Sequence, residues 1–146
     1  TMGRLATLDN VVGCKDATGE ISRVAAIYER CGKDFIQLSG DDPSSLGHTV
    51  HGGKGCISVG SNVAPKAYAQ FHELMWNNKF DEAMVLNRLL HRLHQDLFVD
   101  PSPAPAKYAL NLLGKMNPDV RLPITAVQDS NKELILSAIR RAGINI

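Results

Sequence analysis

The fold is decided by a short apolar run that ends in a lysine and a polar turn: Val11-Val12-Gly13-Cys14-Lys15-Asp16-Ala17-Thr18-Gly19. An apolar run bounded by turn residues predicts a buried strand over residues 11–14, with Lys15 at its carboxyl end. In parallel α/β folds, ligands bind at that edge of the sheet. Partial desolvation would disfavour the ammonium form of such a lysine and free its amine to attack a carbonyl. The segment alone allows a Schiff-base lysine, but it favours an ordinary surface lysine after a strand.

Strands and helices alternate along the first half of the chain. Two further apolar runs predict strands over residues 35–39 and 56–59. Helices are predicted over residues 20–31, from Asp42 (as N-cap) to residue 53, and over residues 65–77. Strands joined by helical crossovers are parallel, so the predicted fold class is α/β with a three-stranded parallel sheet.

The second half of the chain predicts helices and no convincing strand. Periodicity and breaker residues place these helices over residues 80–98, 107–113 and 131–142. The predicted order is therefore βαβαβα followed by a helical extension. A parallel sheet of three strands has two unpaired edges, and unpaired edges invite association. The pattern predicts either the last portion of a (β/α)₈ barrel or a sheet that another chain completes.

Composition narrows the class of protein. The 146 residues are 44% hydrophobic and 21% charged, with a net charge of +1, as in an ordinary globular domain. This charge provides no long-range field for nucleic acid or an anionic membrane. No apolar run is long enough for a membrane span, and the first residues do not form a signal peptide. Three widely spaced cysteines are typical of core thiols in a reducing compartment, so we expect a cytoplasmic protein.

Three predicted loops meet at the carboxyl edge of the sheet. Lys15 follows the first strand, Gly40-Asp41-Asp42 follows the second, and Gly60-Ser61-Asn62 follows the third. Glycines at such an edge let the backbone approach a ligand closely. Glycine and aspartate are also common turn and cap residues, which explains Asp42 without any ligand. The residues leave both interpretations of the three loops open.

The segment Gly13–Gly19 resembles the Schiff-base lysine segment of the dihydrodipicolinate synthase family. The resemblance covers essentially the whole chain in the same order and spacing. It continues through Leu38-Ser39-Gly40-Asp41-Asp42, Gly52-Gly53-Lys54-Gly55-Cys56-Ile57-Ser58-Val59, Ser61-Asn62-Val63-Ala64-Pro65, Leu97-Phe98, Pro101-Ser102-Pro103-Ala104-Pro105-Ala106-Lys107-Tyr108-Ala109 and Arg121-Leu122-Pro123. It makes Lys15 the expected imine-forming lysine.

The resemblance implies the carboxyl-terminal half of a (β/α)₈ barrel. Residues 1–78 would form the last three βα units, and residues 79–146 the helical extension. Family members condense pyruvate with aspartate semialdehyde in lysine and diaminopimelate biosynthesis, work as homotetramers and need no metal or organic cofactor. The other half of the barrel would hold the pyruvate carboxylate and the proton relay. We therefore expect weak or no turnover from these 146 residues alone.

The resemblance also assigns roles to single residues. Lys15 would carry the covalent step, Ile57 would offer its backbone carbonyl to the bound pyruvate moiety, and Gly40 would line the same pocket. Within this chain, the hydroxyl candidates for a proton shuttle are Thr18 and Ser61, although turn roles explain both.

Other interpretations remain beside this one. N-acetylneuraminate lyases and 2-keto-3-deoxygluconate aldolases share the lysine chemistry, and a half-barrel without turnover is a further alternative. His91 and His94 lie three residues apart on one predicted helix, but they lack the further ligands of a metal site. By the same resemblance, Ile21 and Ser22 are candidates for contacts between subunits.

Overall fold

Three short parallel strands form the sheet of this protein, in the order β1-β2-β3. The computed structural model describes all of residues 1–146. The strands are β1 (Gly13–Asp16), β2 (Ile36–Ser39) and β3 (Gly55–Cys56). Lys15 pairs with Leu38, which in turn pairs with Gly55. The predicted three-stranded parallel sheet is confirmed, and the strands follow one another in chain order.

All three strands differ from their predicted bounds, β1 and β3 more than β2, which begins one residue late. β1 begins two residues late and includes Lys15 and Asp16, because pairing with β2 continues to the end of the apolar run and beyond. The Gly40 N–H donates to the Asp16 carbonyl at 2.7 Å and closes this end of the ladder. β3 has two residues instead of four, although the Ile57 N–H still donates to the Ser39 carbonyl at 2.8 Å.

Seven α-helices and one 3₁₀ turn complete the chain. The 3₁₀ turn covers Gly60–Asn62, and the helices are α1 (Met2–Leu5), α2 (Arg23–Cys31), α3 (Ser45–Val50), α4 (Pro65–Trp76), α5 (Phe80–Asp96), α6 (Ala104–Leu112) and α7 (Asp129–Arg141). Every predicted helix is present, and no strand follows β3. α6 begins three residues earlier than predicted, because its first turn tolerates a proline that has no N–H to donate.

The prediction that Asp42 caps α3 is wrong. α3 begins at Ser45, and Ser44 is the residue in the N-cap position. The neighbouring Asp41 carboxylate accepts hydrogen bonds from the Ser44 N–H at 3.0 Å and from the Ser44 hydroxyl at 2.5 Å. The Asp42 side chain is buried instead, with 2% of the residue exposed. Asp41 and Asp42 both precede Ser44 and Ser45, so the sequence offers two candidate carboxylates for the turn before α3. In the structure Asp42 is buried, and Asp41 makes the hydrogen bonds to Ser44.

By packing, the chain forms two compact units, Thr1–Ser58 and Val59–Ile146. The first contains the sheet with α1 to α3. The second contains the 3₁₀ turn and α4 to α7, with α5 packed against both α4 and α7. The predicted division at residue 78 follows the βα units rather than packing, and it stays a prediction. No helix here combines the length and hydropathy that a membrane span requires.

The second unit has an aliphatic core between α5 and α7. Leu90, Leu93, Ile135 and Ile139 are completely buried in it. Their spacing gives each helix one apolar stripe, which explains why the periodicity of the sequence predicts both helices correctly. Leu89 also belongs to the apolar pattern of α5, but it remains 44% exposed.

Replacing Leu93 by alanine is expected to destabilise the second unit by ~2–5 kcal/mol, because it removes buried methyl groups and creates a cavity. Leu89→Ala on the same helix is the matched control and should cost less than about 1 kcal/mol. Urea unfolding followed by circular dichroism measures both changes. Equal costs for the two variants would contradict this description of the core.

Candidate functional site

Lys15 lies on the face of the sheet that the helices do not cover. Side chains alternate between the faces of a strand, so the register places Lys15 with Ile36 and Leu38 on one face, and Ile57 beyond β3 continues it. Lys15 is exposed, as are Ile36 at 43% and Ile57 at 50%. The desolvation that the sequence suggested for Lys15 is therefore not provided by this chain.

An open cleft of about 440 Å³ lies on this face. Its walls are mostly aliphatic and belong to β1, β2 and the residues that flank them. The lining residues are Asn10, Val11, Val12, Gly13, Cys14, Lys15, Ile36, Leu38 and Ile57. Lys15 is the only side chain in this lining that carries an amine, so a ligand in the cleft meets one amine nitrogen among mostly aliphatic groups.

Gly40 leaves the space that the Lys15 side chain occupies. A Cβ atom at Gly40 would overlap Cε and Cγ of Lys15 and would also crowd Ala17. The lysine stem thus runs directly over the Gly40 backbone at the end of β2. A glycine is required here by close approach, and any larger residue would displace the amine.

The opposite face of the sheet is held to the helices by polar side chains. The Arg23 Nε at the start of α2 donates to the Asp16 carboxylate at 2.6 Å, and the Thr18 N–H donates to the other carboxylate oxygen at 2.9 Å. The buried Gln37 amide donates to the Val24 carbonyl at 3.0 Å. These bonds fix the chain directly after Lys15 and the neighbouring strand β2, while the Lys15 side chain lies on the other face.

Partial burial alone would raise the pKa of the Asp16 carboxyl. The hydrogen bonds from Arg23 and Thr18, together with the charge of Arg23, outweigh burial and hold this pKa below its usual value. Asp16 is therefore ionised at neutral pH. Sequence reasoning missed this pair, because a separation of seven residues across a turn has no periodic signal.

The structure brings Lys15, Gly40 and Ile57 of the predicted site together in the first unit. The Thr18 hydroxyl accepts a hydrogen bond from the Glu20 N–H at 3.2 Å, which is a turn role. Ser61 lies in the 3₁₀ turn of the second unit.

The cysteines and histidines form no metal-binding group. No three His, Cys, Asp or Glu side chains converge as ligands. His94 is buried on α5, with its ring 5.7 Å from that of Tyr68. The three cysteines are free thiols. Burial raises the pKa of Cys14, with the nearby Asp16 charge acting in the same direction.

Parallel strands with helices on one face and a lysine-bearing cleft on the other define the class: part of a (β/α)₈ barrel. Residues 1–142 match the model of the Dihydrodipicolinate synthetase family. The chain belongs to this family.

Relatives and solved structures agree with this assignment. The chain is 46% identical over 135 residues to a 4-hydroxy-tetrahydrodipicolinate synthase of Bartonella bacilliformis (92% of this chain, 46% of the relative). It is 48% identical over 145 residues to the 4-hydroxy-tetrahydrodipicolinate synthase of Mesorhizobium japonicum (99% of this chain, 50% of the relative). The dihydrodipicolinate synthase structure from Aquifex aeolicus superposes with a TM-score of 0.93 at 31% identity (98% of this chain, 49% of that structure). A chloride-inhibited dihydrodipicolinate synthase from Acinetobacter baumannii, complexed with pyruvate, superposes with a TM-score of 0.93 at 34% sequence identity. The match covers 99% of this chain and 50% of that structure.

The chain spans about half the length of the curated relatives it matches. The predicted fold, the carboxyl-terminal half of a (β/α)₈ barrel with a helical extension, is confirmed by the structural neighbours.

Asp16→Asn is expected to reduce the loss of the free energy of unfolding that the protein undergoes as the pH falls into the acid range. A carboxyl whose pKa is lowered on folding stabilises the protein above its unfolded pKa, and this contribution disappears as the pH falls through the folded pKa. The wild-type protein should therefore lose more stability below about pH 4 than the variant does. Urea midpoints between pH 3 and pH 7 measure the difference. The exposed Asp34→Asn is the control, and a variant profile parallel to wild type would contradict the role of this pair.

Proposed function

We propose that this chain provides the lysine-bearing part of a pyruvate-dependent synthase of the 4-hydroxy-tetrahydrodipicolinate synthase type. The observation that carries the proposal is the position of Lys15, whose side chain lies over Gly40 and shares an open cleft with Ile57. The family match over residues 1–142 supports it. The relatives named above are all synthases of this kind, so a sibling aldolase is not favoured.

In this proposal the Lys15 amine attacks the ketone carbon of pyruvate. A carbon–nitrogen bond forms, water leaves, and the product is an imine that accepts electrons from the neighbouring methyl carbon. Loss of a methyl proton gives an enamine, which attacks the aldehyde carbon of aspartate semialdehyde. Cyclisation then releases the product and frees the lysine.

Gly40 and Ile57 position the pyruvate moiety in this scheme. Gly40 keeps the lysine stem close to the backbone, and the Ile57 carbonyl contacts the bound substrate. Substrate positioning can supply ~7–11 kcal/mol of barrier reduction. Since the groups that hold the pyruvate carboxylate lie outside these residues in the proposal, we expect slow turnover from this chain alone.

Assembly belongs to the same proposal. The outer edges of β1 and β3 are unpaired within the sheet, and such edges associate with further strands. We propose that residues 1–78 complete a barrel, with residues 79–146 as its extension, in a homo-oligomer that is tetrameric as the family resemblance implies. Free thiols are typical of a reducing compartment, which supports a cytoplasmic location.

Borohydride trapping with pyruvate should attach a reduced pyruvyl group to Lys15. The chain is tested alone and with the amino-terminal half of a full-length relative, and intact mass with peptide mapping locates the adduct. Lys15→Arg should abolish trapping, because a guanidinium does not form the imine. Lys54→Arg is the control, since this exposed lysine lies at the other end of the sheet. Absence of a Lys15 adduct under both conditions would refute the proposed function.

Gly40→Ala should slow the trapping reaction at least about tenfold, because an added methyl group displaces the lysine stem and a small misplacement can cost 10²-fold. Gly52→Ala serves as the control: its φ is +108°, and an added methyl group there meets open space. That variant reports backbone strain without touching Lys15. A Gly40→Ala variant that traps pyruvate at the wild-type rate would show that the close approach is not needed.

A further inference from the structure

Gly40 needs a restraint that it cannot provide itself. The Lys15 stem lies over its backbone, so a side chain is excluded at this position. Glycine leaves more backbone conformations open than any other residue, and a mobile Gly40 would not hold the stem in one place. The Gly40 N–H donates to the Asp16 carbonyl at 2.7 Å, which fixes the residue on the side of β1. A second restraint comes from the hydroxyl of the residue before it.

The Ser39 hydroxyl spans Gly40 and bonds to the backbone beyond it. It donates to the Asp41 carbonyl at 3.0 Å and accepts the Asp41 N–H at 3.1 Å. The Ser39 side chain lies on the face of the sheet that the helices cover, and the residue is only 1% exposed. One buried side chain therefore holds both backbone groups of the residue that follows Gly40.

Asp41 is itself held by α3. Its carboxylate accepts hydrogen bonds from the Ser44 N–H at 3.0 Å and from the Ser44 hydroxyl at 2.5 Å, at the N-cap position of that helix. The Ser39 hydroxyl thus ties the end of β2 to a residue that the start of α3 already fixes. Without this hydroxyl the Asp41 carboxylate keeps its bonds to Ser44, and Gly40 becomes a hinge between β2 and α3.

The Cys56 thiol lies beside the Ser39 hydroxyl, because the two residues pair in the ladder. Burial, followed by the Asp42 charge, raises the pKa of this thiol to about 12, although a hydrogen bond from Ser39 acts in the opposite direction. The thiol therefore keeps its proton at neutral pH, and it donates to Asp42 Oδ1 at 3.7 Å. A protonated thiol is a weak acceptor, so the Asp41 carbonyl remains the better acceptor for the Ser39 hydroxyl.

We propose that Ser39 is a positioning residue for the Lys15 amine. Its hydroxyl holds the Gly40 backbone against the lysine stem, which keeps the amine at the cleft that Ile57 also lines. The inference rests on the proposed function, in which this amine attacks the ketone carbon of pyruvate. Loss of the hydroxyl should slow the reaction of bound pyruvate, because the stem loses its support while the Ile57 side of the cleft is unchanged.

The test measures the rate of borohydride trapping against pyruvate concentration, for the chain alone and with the amino-terminal half of a relative. Ser39→Ala should lower the rate at saturating pyruvate by about 5- to 100-fold, since the Asp41 N–H loses this partner and the amine is misplaced. The half-saturating pyruvate concentration should change by less than about threefold, because ground-state contacts remain. Ser39→Thr keeps the hydroxyl and should recover most of the rate.

Ser45→Ala is the matched control. Ser45 is also a buried serine, 2% exposed, and its hydroxyl donates to a backbone carbonyl, that of Asp42, at 2.9 Å. Loss of this bond should lower the unfolding midpoint about as much as loss of the Ser39 hydroxyl does. The trapping rate should stay within about twofold of wild type, because the Ser45 bond does not span Gly40.

A double variant separates support of the lysine stem from general destabilisation. Gly40→Ala displaces the same stem, so adding Ser39→Ala to it should slow trapping little further. Independent losses that multiply in the double variant would overturn the inference, and so would a Ser39→Ala rate equal to that of Ser45→Ala. A wild-type chain without an adduct on Lys15 under both conditions would instead refute the proposed function itself.

Discussion

The sheet of the first unit is covered by helices on one face only, and this constraint determines where each kind of side chain lies. On the covered face, the Asp16 carboxylate accepts a hydrogen bond from Arg23, and the Gln37 amide nitrogen donates to the Val24 carbonyl. Residues on the other face are aliphatic or glycine, with Lys15 as the exception. Buried polar groups need partners, so the covered face fixes the backbone and the open face remains available to a ligand.

A chemical consequence follows from this division. In the proposed function, Lys15 needs a fixed stem and an accessible amine. Bonds on the covered face fix the backbone, and the open face leaves the amine accessible. The Asp16 bonds hold the backbone beside Lys15, while Gly40 lets the stem lie flat along the end of β2. Exposure of Lys15 means that its surroundings here are water and aliphatic groups. This chain therefore contains the contacts that position Lys15, but it does not surround the amine with a low-dielectric environment.

Local patterns in the sequence were sufficient for the order of elements from β1 onward and for the place of Lys15, but they did not predict α1. The apolar runs predicted all three strands, and breakers such as Gly32 and Gly143, both with positive φ, ended the predicted helices correctly. Local patterns failed where two neighbouring residues compete for one role. Asp41 and Asp42 are both acidic and both precede serines, and only packing decides which of them is buried. Periodicity likewise places Leu89 in the apolar stripe of α5, although Leu89 is 44% exposed. Periodicity does not indicate which residues of the stripe a neighbouring helix covers.

Contacts between distant segments explain the rest of what the sequence did not predict. Asp100 illustrates this in the second unit: its carboxylate accepts the Gln128 N–H at 3.1 Å and the Asn131 amide at 3.0 Å. The bond from Asn131 is the main reason that the pKa of Asp100 lies below its usual value. About thirty residues separate these partners, so no window of sequence contains both, and Asp100 reads locally as an ordinary turn residue. The start of α7 is therefore fixed by a side chain from the loop after α5. The same logic applies to Cys56 and Asp42, which become partners only when β3 takes its place in the sheet.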